Sequence, residues 1–327
     1  MLKIKIEYFY LIFVAIKLII YFIPRSCGEI TMSFASQRGV NATARFTLRL
    51  AKLRTNLTSF ADKLPSLAPT LKALNQIEAV LQRPLRLGVL GEANSGKSAL
   101  TNLLLRVPVL PALQVPNTRV PTLLVYGERA EVIHSPVFRN SGYKSVQKLR
   151  PQQDKLILVR LPFASLKTCE ILDVPGFLDP LLGYDVADIG GLGIDAAIWC
   201  TFSTQAWKES ERISWARMPE KVRKAGLLAV THMDLLRSDQ IIRVKTRLKN
   251  VMAEDFKDLV FVSSLQAIEA LNPAGNLVAF ELWKQSGAAA LDHALQELLG
   301  ELRMQRLQKA QVLTQRVAEM ALSGISV

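Results

Sequence analysis

Leu85-Arg-Leu-Gly-Val-Leu-Gly91-Glu-Ala-Asn-Ser-Gly96-Lys-Ser98-Ala-Leu-Thr-Asn-Leu-Leu-Leu105 is the stretch that decides the fold. Leu85–Leu90 is a short apolar run of strand length, and the residues from Lys97 onward read as a helix over 97–105. Between them, Gly91 to Ser98 satisfies G-x-x-x-x-G-K-[ST] in full, in the strand–loop–helix setting that the pattern requires. Gly91 and Gly96 let the backbone wrap closely around an anion and present amides at a helix N-terminus. Lys97 supplies positive charge to the β- and γ-phosphates, and the Ser98 hydroxyl suits Mg²⁺. Alone, the loop says only that a nucleoside triphosphate is bound.

Downstream, short runs rich in β-branched residues alternate with helical patterns. The strands are expected at Leu85–Leu90, Pro121–Tyr126, Leu156–Leu161, Thr168–Val174, Ala196–Thr201, Leu227–Thr231 and Leu259–Val262. Helices are expected at 97–105, 206–218, 239–256 and 278–303. Such alternation predicts an α/β fold, a mainly parallel sheet with helices on both faces. Upstream the pattern changes. Apolar residues at 46, 50, 53, 57, 60, 64, 67, 71 and 74 keep a 4-3 spacing, the seam of a helix packed on another helix. Pro65 and Pro69 divide this stretch into helices at 37–64 and 67–82. Leu291, Leu295, Leu298 and Leu302 repeat the spacing near the other end. The expected organisation is a hydrophobic segment 1–31, a helical flank 32–84, the α/β domain 85–285 and a C-terminal helical flank 286–327.

With 327 residues, half of them hydrophobic and 21% charged, the chain has material for a full core and is not a disordered polymer. Three cysteines (Cys27, Cys169 and Cys200) build no disulfide framework, which points to a reducing compartment. Cys169 and Cys200 lie in expected strands and read as core thiols, and Trp199 and Trp207 as packing residues. With only three histidines and no ligand spacing, no metal site beyond Mg²⁺ is expected. Mean hydropathy is +0.20. The net charge of +13 suggests polyanionic partners, and residues 1–84 carry +8 of it, from 12 basic and 4 acidic side chains. Residues 8–23 are almost wholly apolar, interrupted by Lys17, and shorter than the roughly 20 residues a spanning helix needs. Three readings stand for them: an upstream extension ahead of a start at Met32, a membrane anchor, or an export signal, the last disfavoured by nucleotide chemistry.

Further motifs follow at strand ends. In Asp173-Val-Pro-Gly176 an acid ending a strand can hold Mg²⁺ through water, and Gly176 frees an amide to approach a γ-phosphate. In Thr231-His-Met-Asp234 a carboxylate can accept both the ring N–H and the exocyclic amine of guanine, a pairing adenine does not offer. Ser263-Ser-Leu-Gln-Ala267 is a plausible loop against the guanine edge.

In that order, GEANSGKS (91–98), NTRVPT (117–122), DVPG (173–176), THMD (231–234) and SSLQA (263–267) resemble the P-loop GTPases of the translation-factor class, and most closely the bacterial dynamin-like branch. The 76 positions between Lys97 and Asp173, with the T-R-x-P element, set the chain apart from compact small GTPases. The resemblance implies GTP hydrolysis to GDP and phosphate, with GTP/GDP as ligand and Mg²⁺ as cofactor. It makes Thr118 the switch threonine over Mg²⁺ and γ-phosphate, Thr122 being the second candidate. It groups Lys97, Thr118, Gly176 and Asn94 as catalytic, and Ser98, Thr118 and Asp173 around the metal. The nucleotide falls to Gly91, Asn94, Ser95, Gly96, Lys97, Ser98, Ala99, Thr231, His232, Asp234, Ser263 and Ser264.

Three departures stand out. His232 replaces the usual Lys of the guanine motif. Phe177 occupies the position where Ras-like enzymes carry a water-orienting Gln. Asn94 stands where cation-activated, Era-like relatives bind K⁺. The expected protein is cytoplasmic, peripheral to or anchored at the inner face of the membrane, and dimerises through its GTPase domain. An anionic membrane surface is a candidate partner; nucleic acid is disfavoured, because no RNA-binding motif follows. An Era-like RNA- or ribosome-directed GTPase and a GTP-binding interaction module with little turnover are the alternatives.

Overall fold

The computed structural model describes residues 35–59, 65–107, 121–135, 156–174, 192–252 and 255–323. The expected 1–31 segment therefore lies outside the described residues, as do Thr118, Gly176 and Phe177. The chain divides into two compact units, Met1–Arg83 with Leu299–Val327, and Pro84–Leu298.

The first unit is helical. Helix α1 spans Ala35–Thr58 and α2 spans Ala68–Gln82, with a 3-10 turn at Pro65–Leu67 before α2. The expected helix end at 64 is shorter in fact, α1 closing at Thr58. Pro69 sits in the first turn of α2, where a missing N–H costs nothing, so it starts this helix instead of breaking it. The 4-3 seam is the core: Leu50, Leu57, Leu74, Ile77 and Leu81 are buried together with Ala310, and Phe46, Leu53, Leu71 and Val317 pack against them. Arg54 pairs with Glu78 at 2.9 Å across the seam. No helix among the described residues is long and apolar enough to cross a membrane.

The second unit is built on an eight-stranded sheet. In chain order the strands are β1 (Leu85–Gly91), β2 (Thr122–Tyr126), β3 (Glu131–Ser135), β4 (Leu156–Leu161), β5 (Cys169–Asp173), β6 (Ala196–Phe202), β7 (Gly226–Thr231) and β8 (Asp258–Phe261). Their spatial order is β3-β4-β2-β5-β1-β6-β7-β8. Five neighbouring pairs are parallel; β2–β5 and β3–β4 are antiparallel. The mainly parallel α/β class read from the sequence is thus what the chain adopts. Strand β3 was not expected.

Helices α3 (Lys97–Leu105), α4 (Glu209–Ala216), α5 (Glu220–Arg223), α6 (Ser238–Met252), α7 (Ser264–Glu269), α8 (Phe280–Gln285) and α9 (Ala288–Ser323) complete the fold. Both alternating side-chain sets of the central strands are buried: Ala197, Trp199, Leu228 and Val230 on one face, Ala196, Ile198, Cys200, Leu227 and Ala229 on the other. The first set joins Trp207, Trp215, Val222, Leu248 and Phe256 in the main core. Trp199 meets Trp207 and Trp215 edge-on at 6.2 and 5.7 Å, and Trp215 stacks on Phe256 at 4.4 Å.

One expected helix is shortened and another divided. The 206–218 pattern yields α4 alone, because Trp207 has a left-handed φ of 59° and Ala206 is extended. The 278–303 pattern splits into α8 and α9 at Gly287, whose φ is +80°. A Cβ there would lie 1.9 Å from the Phe261 carbonyl oxygen, so only glycine lets the chain pass β8 at that distance.

Candidate functional site

All the motifs in the described residues converge on one edge of the sheet. Gly91, Asp173, Phe202 and Thr231 end β1, β5, β6 and β7, and Ser263 follows β8. Ligands of parallel sheets bind outside these carboxyl ends. Thr122 reaches the same edge from the opposite direction: β2 runs antiparallel to β5 and starts there, which pairs Thr122 with Asp173 in register.

The phosphate loop itself is tightly wound. Gly91 has φ +140°, and a Cβ on it would come within 2.3 Å of the Cys200 carbonyl oxygen; Asn94 and Gly96 are left-handed at 60° and 81°. Gly96 caps α3. Asn94 and Ala99 are exposed, whereas Ser95 and Lys97 are buried. The Lys97 ammonium donates to the Glu92 carbonyl oxygen at 2.5 Å. Burial lowers its pKa, against the opposing influence of Cys200, Asp173 and Glu92. Beneath the loop, burial pushes the Cys200 thiol up to about 12, so it is an inert core thiol. Cys169 is only half-buried, a weaker core residue than its strand position suggests.

Ser98 Oγ contacts Asp173 Oδ2 at 3.4 Å. Burial raises the Asp173 pKa to about 6, opposed by Lys97 and by the Ser98 hydrogen bond. Its other oxygen, Oδ1, is buried without a hydrogen-bond partner, as are Ser95 Oγ and Thr122 Oγ1. A buried carboxylate oxygen with no donor is costly unless a cation completes it. Oxygen donors of this kind fit Mg²⁺, which takes one or two protein oxygens and keeps its other positions for water and phosphate. Among the described residues no cluster of three or more His, Cys, Asp or Glu side chains suits another metal.

The guanine motif is fastened to the phosphate loop. Thr231 Oγ1 lies 2.8 Å from the Ser95 carbonyl oxygen, 3.1 Å from that of Thr201 and 3.0 Å from His232 Nδ1. His232 is left-handed at φ 55°, and its ring lies on Phe202 at 4.4 Å with a 32° tilt. Ser203 Oγ donates to the His232 carbonyl oxygen at 2.8 Å. Asp234 is exposed within the 3-10 turn Met233–Leu235. SSLQA is a helix start, not a loop: Ser263 caps α7 by accepting from the Gln266 N–H at 3.4 Å. Ser264 Oγ is buried and unpartnered.

Two acids escaped the sequence reading. The Glu92 carboxylate accepts from Ser210 Oγ at 2.5 Å and pairs with Lys208 at 3.3 Å. Glu211, 2% exposed, accepts from Thr201 Oγ1 (2.8 Å), Trp199 Nε1 (3.3 Å) and the Lys208 N–H (2.8 Å). Burial raises the Glu211 pKa, and these three hydrogen bonds oppose the rise. Thr201 Oγ1 in turn accepts from the Trp207 N–H at 2.8 Å, which holds Trp207 in its left-handed conformation. Glu92 falls at a wildcard position of the phosphate-loop pattern, and Glu211 in no motif.

Fold and site are arranged as in a P-loop nucleotide-binding domain. The dynamin family model matches residues 87–154, from β1 and the phosphate loop to just before β4. "Dynamin-like protein 2" of Campylobacter jejuni subsp. jejuni serotype O:23/36 (strain 81-176) is 26% identical over 206 residues, 59% of this chain and 33% of that protein. Two structures of an oligomerised bacterial dynamin pair, described as a mechanism for long-range sensing and tethering of membranes, share the fold with TM-scores of 0.58 and 18% identity. Each covers 93% of this chain; the chain covers 57% and 48% of theirs. The chain is similar in sequence to that dynamin-like protein and in fold to the bacterial dynamin pair, and it spans about a third of the curated relative and about half of those two structures.

Proposed function

We propose that this chain binds GTP with Mg²⁺ and hydrolyses it to GDP and phosphate. The observation that carries the reading is the convergence, at the carboxyl edge of one parallel sheet, of Lys97, Ser98, Asp173 and the Thr231–Asp234 motif. Ser98 and Asp173 would hold the ion, with Thr122 beside them and Thr118 as the sequence-based candidate above it. The ion, once bound, would supply charge neutralisation to the phosphates. Lys97 binds the same oxygens from the loop, and the amides of the loop and of the first turn of α3 orient the phosphate chain. Asp234 accepts the guanine N–H groups, while the His232 imidazole, backed by Phe202, offers an aromatic wall where relatives place a lysine stem. Among the described residues the site groups supply no strong base, and phosphoryl transfer needs positioning and electrostatics more than one.

The relatives extend this reading to self-association and membranes. We infer a dimer formed through the GTPase domain, with a K⁺ ion near Asn94, and attachment to an anionic surface through the helical unit. That unit, as a sequence, carries 16 basic against 6 acidic residues, +10 of the total +13.

The test is nucleotide binding and turnover by wild type beside Lys97→Ala. Wild type is expected to prefer GTP over ATP, and Lys97→Ala to lose on the order of 100-fold or more in kcat/KM. Equal affinity for the two nucleotides would remove Asp234 from its role. Turnover indifferent both to K⁺ against Na⁺ and to protein concentration would remove the cation and the dimer.

A further inference from the structure

Glu92 takes no direct part in the phosphate-loop chemistry, yet its side chain is fixed at both carboxylate oxygens. Oε1 accepts from Ser210 Oγ at 2.5 Å, and Oε2 lies 3.3 Å from Lys208 Nζ. These partners stand 118 and 116 residues along the chain, on the N-cap and first turn of α4. They are themselves held. The Lys208 N–H donates to the buried Glu211, and Ser214 Oγ donates to the Ser210 carbonyl oxygen at 2.9 Å. Through its main chain Glu92 does something else: its carbonyl oxygen receives the Lys97 ammonium at 2.5 Å. One residue thus faces two ways, its main-chain oxygen toward the phosphate-binding lysine and its carboxylate toward the helix that follows β6.

We propose that Glu92 is a positioning residue for the nucleotide, anchoring the phosphate loop to α4 through Ser210 and Lys208 so that the Lys97 ammonium and the loop amides are preset for the phosphates. The second tie between loop and sheet is Thr231 Oγ1 on the Ser95 carbonyl oxygen. With both ties in place the loop is held near each end. With Glu92 cut, the Glu92 peptide can turn, and Lys97 loses the fixed oxygen that aims it. The Ser210 hydroxyl contributes more than Lys208, whose side chain is 42% exposed, because water screens the exposed ion pair. The inference rests on the GTPase reading for its consequence in catalysis, but the anchor itself does not.

The experiment measures amide hydrogen exchange over residues 91–98 in the nucleotide-free full chain, then GTP kinetics on the same samples. Glu92→Ala and Ser210→Ala are expected to speed loop exchange about tenfold and to lower kcat by a similar factor. Glu92→Gln keeps one oxygen acceptor, which serves the Ser210 hydroxyl and gives up only the weaker, exposed Lys208 pair, and is expected to stay within about threefold of wild type on both readouts. The double variant Glu92→Ala/Ser210→Ala is expected to be no worse than Glu92→Ala alone, since Glu92→Ala already removes the Ser210 hydrogen bond. Wild-type loop exchange in Glu92→Ala, or additive losses in the double variant, overturns the proposal. So does a Gln variant as impaired as Ala. If Glu92→Ala lowers the melting temperature of the whole chain, Ser210→Ala, which keeps the carboxylate, decides by the same criteria. Should wild type show no GTP turnover, the GTPase reading falls while the exchange comparison still settles the anchor.

Discussion

Asp173 pairs function with a cost to stability. In the unfolded chain its carboxyl ionises near its ordinary 3.8, and in the fold near about 6, because burial opposes the charge. Between those values the native state holds more protons than the unfolded one. Stability from this group is therefore full below about 3.8 and lost as pH rises through about 6, a difference of about 3 kcal/mol. Nucleotide-free Asp173→Asn, which cannot ionise, is expected to gain in melting temperature relative to wild type between about pH 4 and about pH 7. Adding Mg²⁺ with GTP should stabilise wild type and not the variant, and for wild type this gain should shrink below about pH 6, where the carboxylate takes up its proton. An Asn variant whose relative stability ignores pH would show that Asp173 is not the ionising group. The same residue shows what a sequence makes legible. DVPG marks the acid by its place at a strand end, but the Thr122 register and the buried Oδ1 arise only when β2 turns antiparallel.

At the scale of elements, periodicity identified those whose partners are near in sequence or whose burial is uniform: β1, β6, β7 and both seam helices. It merged α8 with α9, because the apolar spacing runs on through Gly287 while the reason for the break, the Phe261 carbonyl oxygen, lies 26 residues upstream. Glu131–Ser135 escaped for a related cause. It is an edge strand paired on one side only, and its register with β4 sets Glu131 against Arg160, an exposed ion pair at 3.1 Å. The roles of Glu92 and Glu211 were invisible, since Glu92 occupies a position where the phosphate-loop pattern accepts any residue, Glu211 lies in no pattern, and the Glu92 partners are more than a hundred residues away. Gly287→Ala tests the account of the break. The backbone collision and the positive φ together predict a loss of about 3 kcal/mol or more in chemical denaturation, with GTP affinity of the folded fraction little changed. A loss under about 1 kcal/mol would mean that the α8–α9 junction relaxes easily.

The whole molecule separates its tasks between two units. The nucleotide motifs lie in Pro84–Leu298, and most of the net positive charge lies in Met1–Arg83 with Leu299–Val327. Each unit has a buried core of its own. A chain limited to residues 84–298 is expected to fold and to bind GTP within about threefold of the full chain, while losing the salt-sensitive binding to anionic vesicles predicted for the intact protein. Vesicle binding that survives in the truncated chain would move the membrane-facing surface to the GTPase domain. Binding to RNA in place of vesicles would favour the ribosome-directed alternative.

The tryptophans behind the loop give the protein an optical property. Trp199 and Trp207 meet edge to face with ring centroids 6.2 Å apart, and Trp199 donates to Glu211, which also receives Thr201. The Thr201 carbonyl oxygen and the Ser95 carbonyl oxygen share the Thr231 hydroxyl, so the indoles stand a few hydrogen bonds from the phosphate loop. Any rearrangement of that loop on loading changes the polar surroundings of these chromophores. Nucleotide exchange should therefore be visible in the intrinsic emission of the unlabelled protein, in real time, with the fourth tryptophan, Trp283 on α8, as a buried background signal.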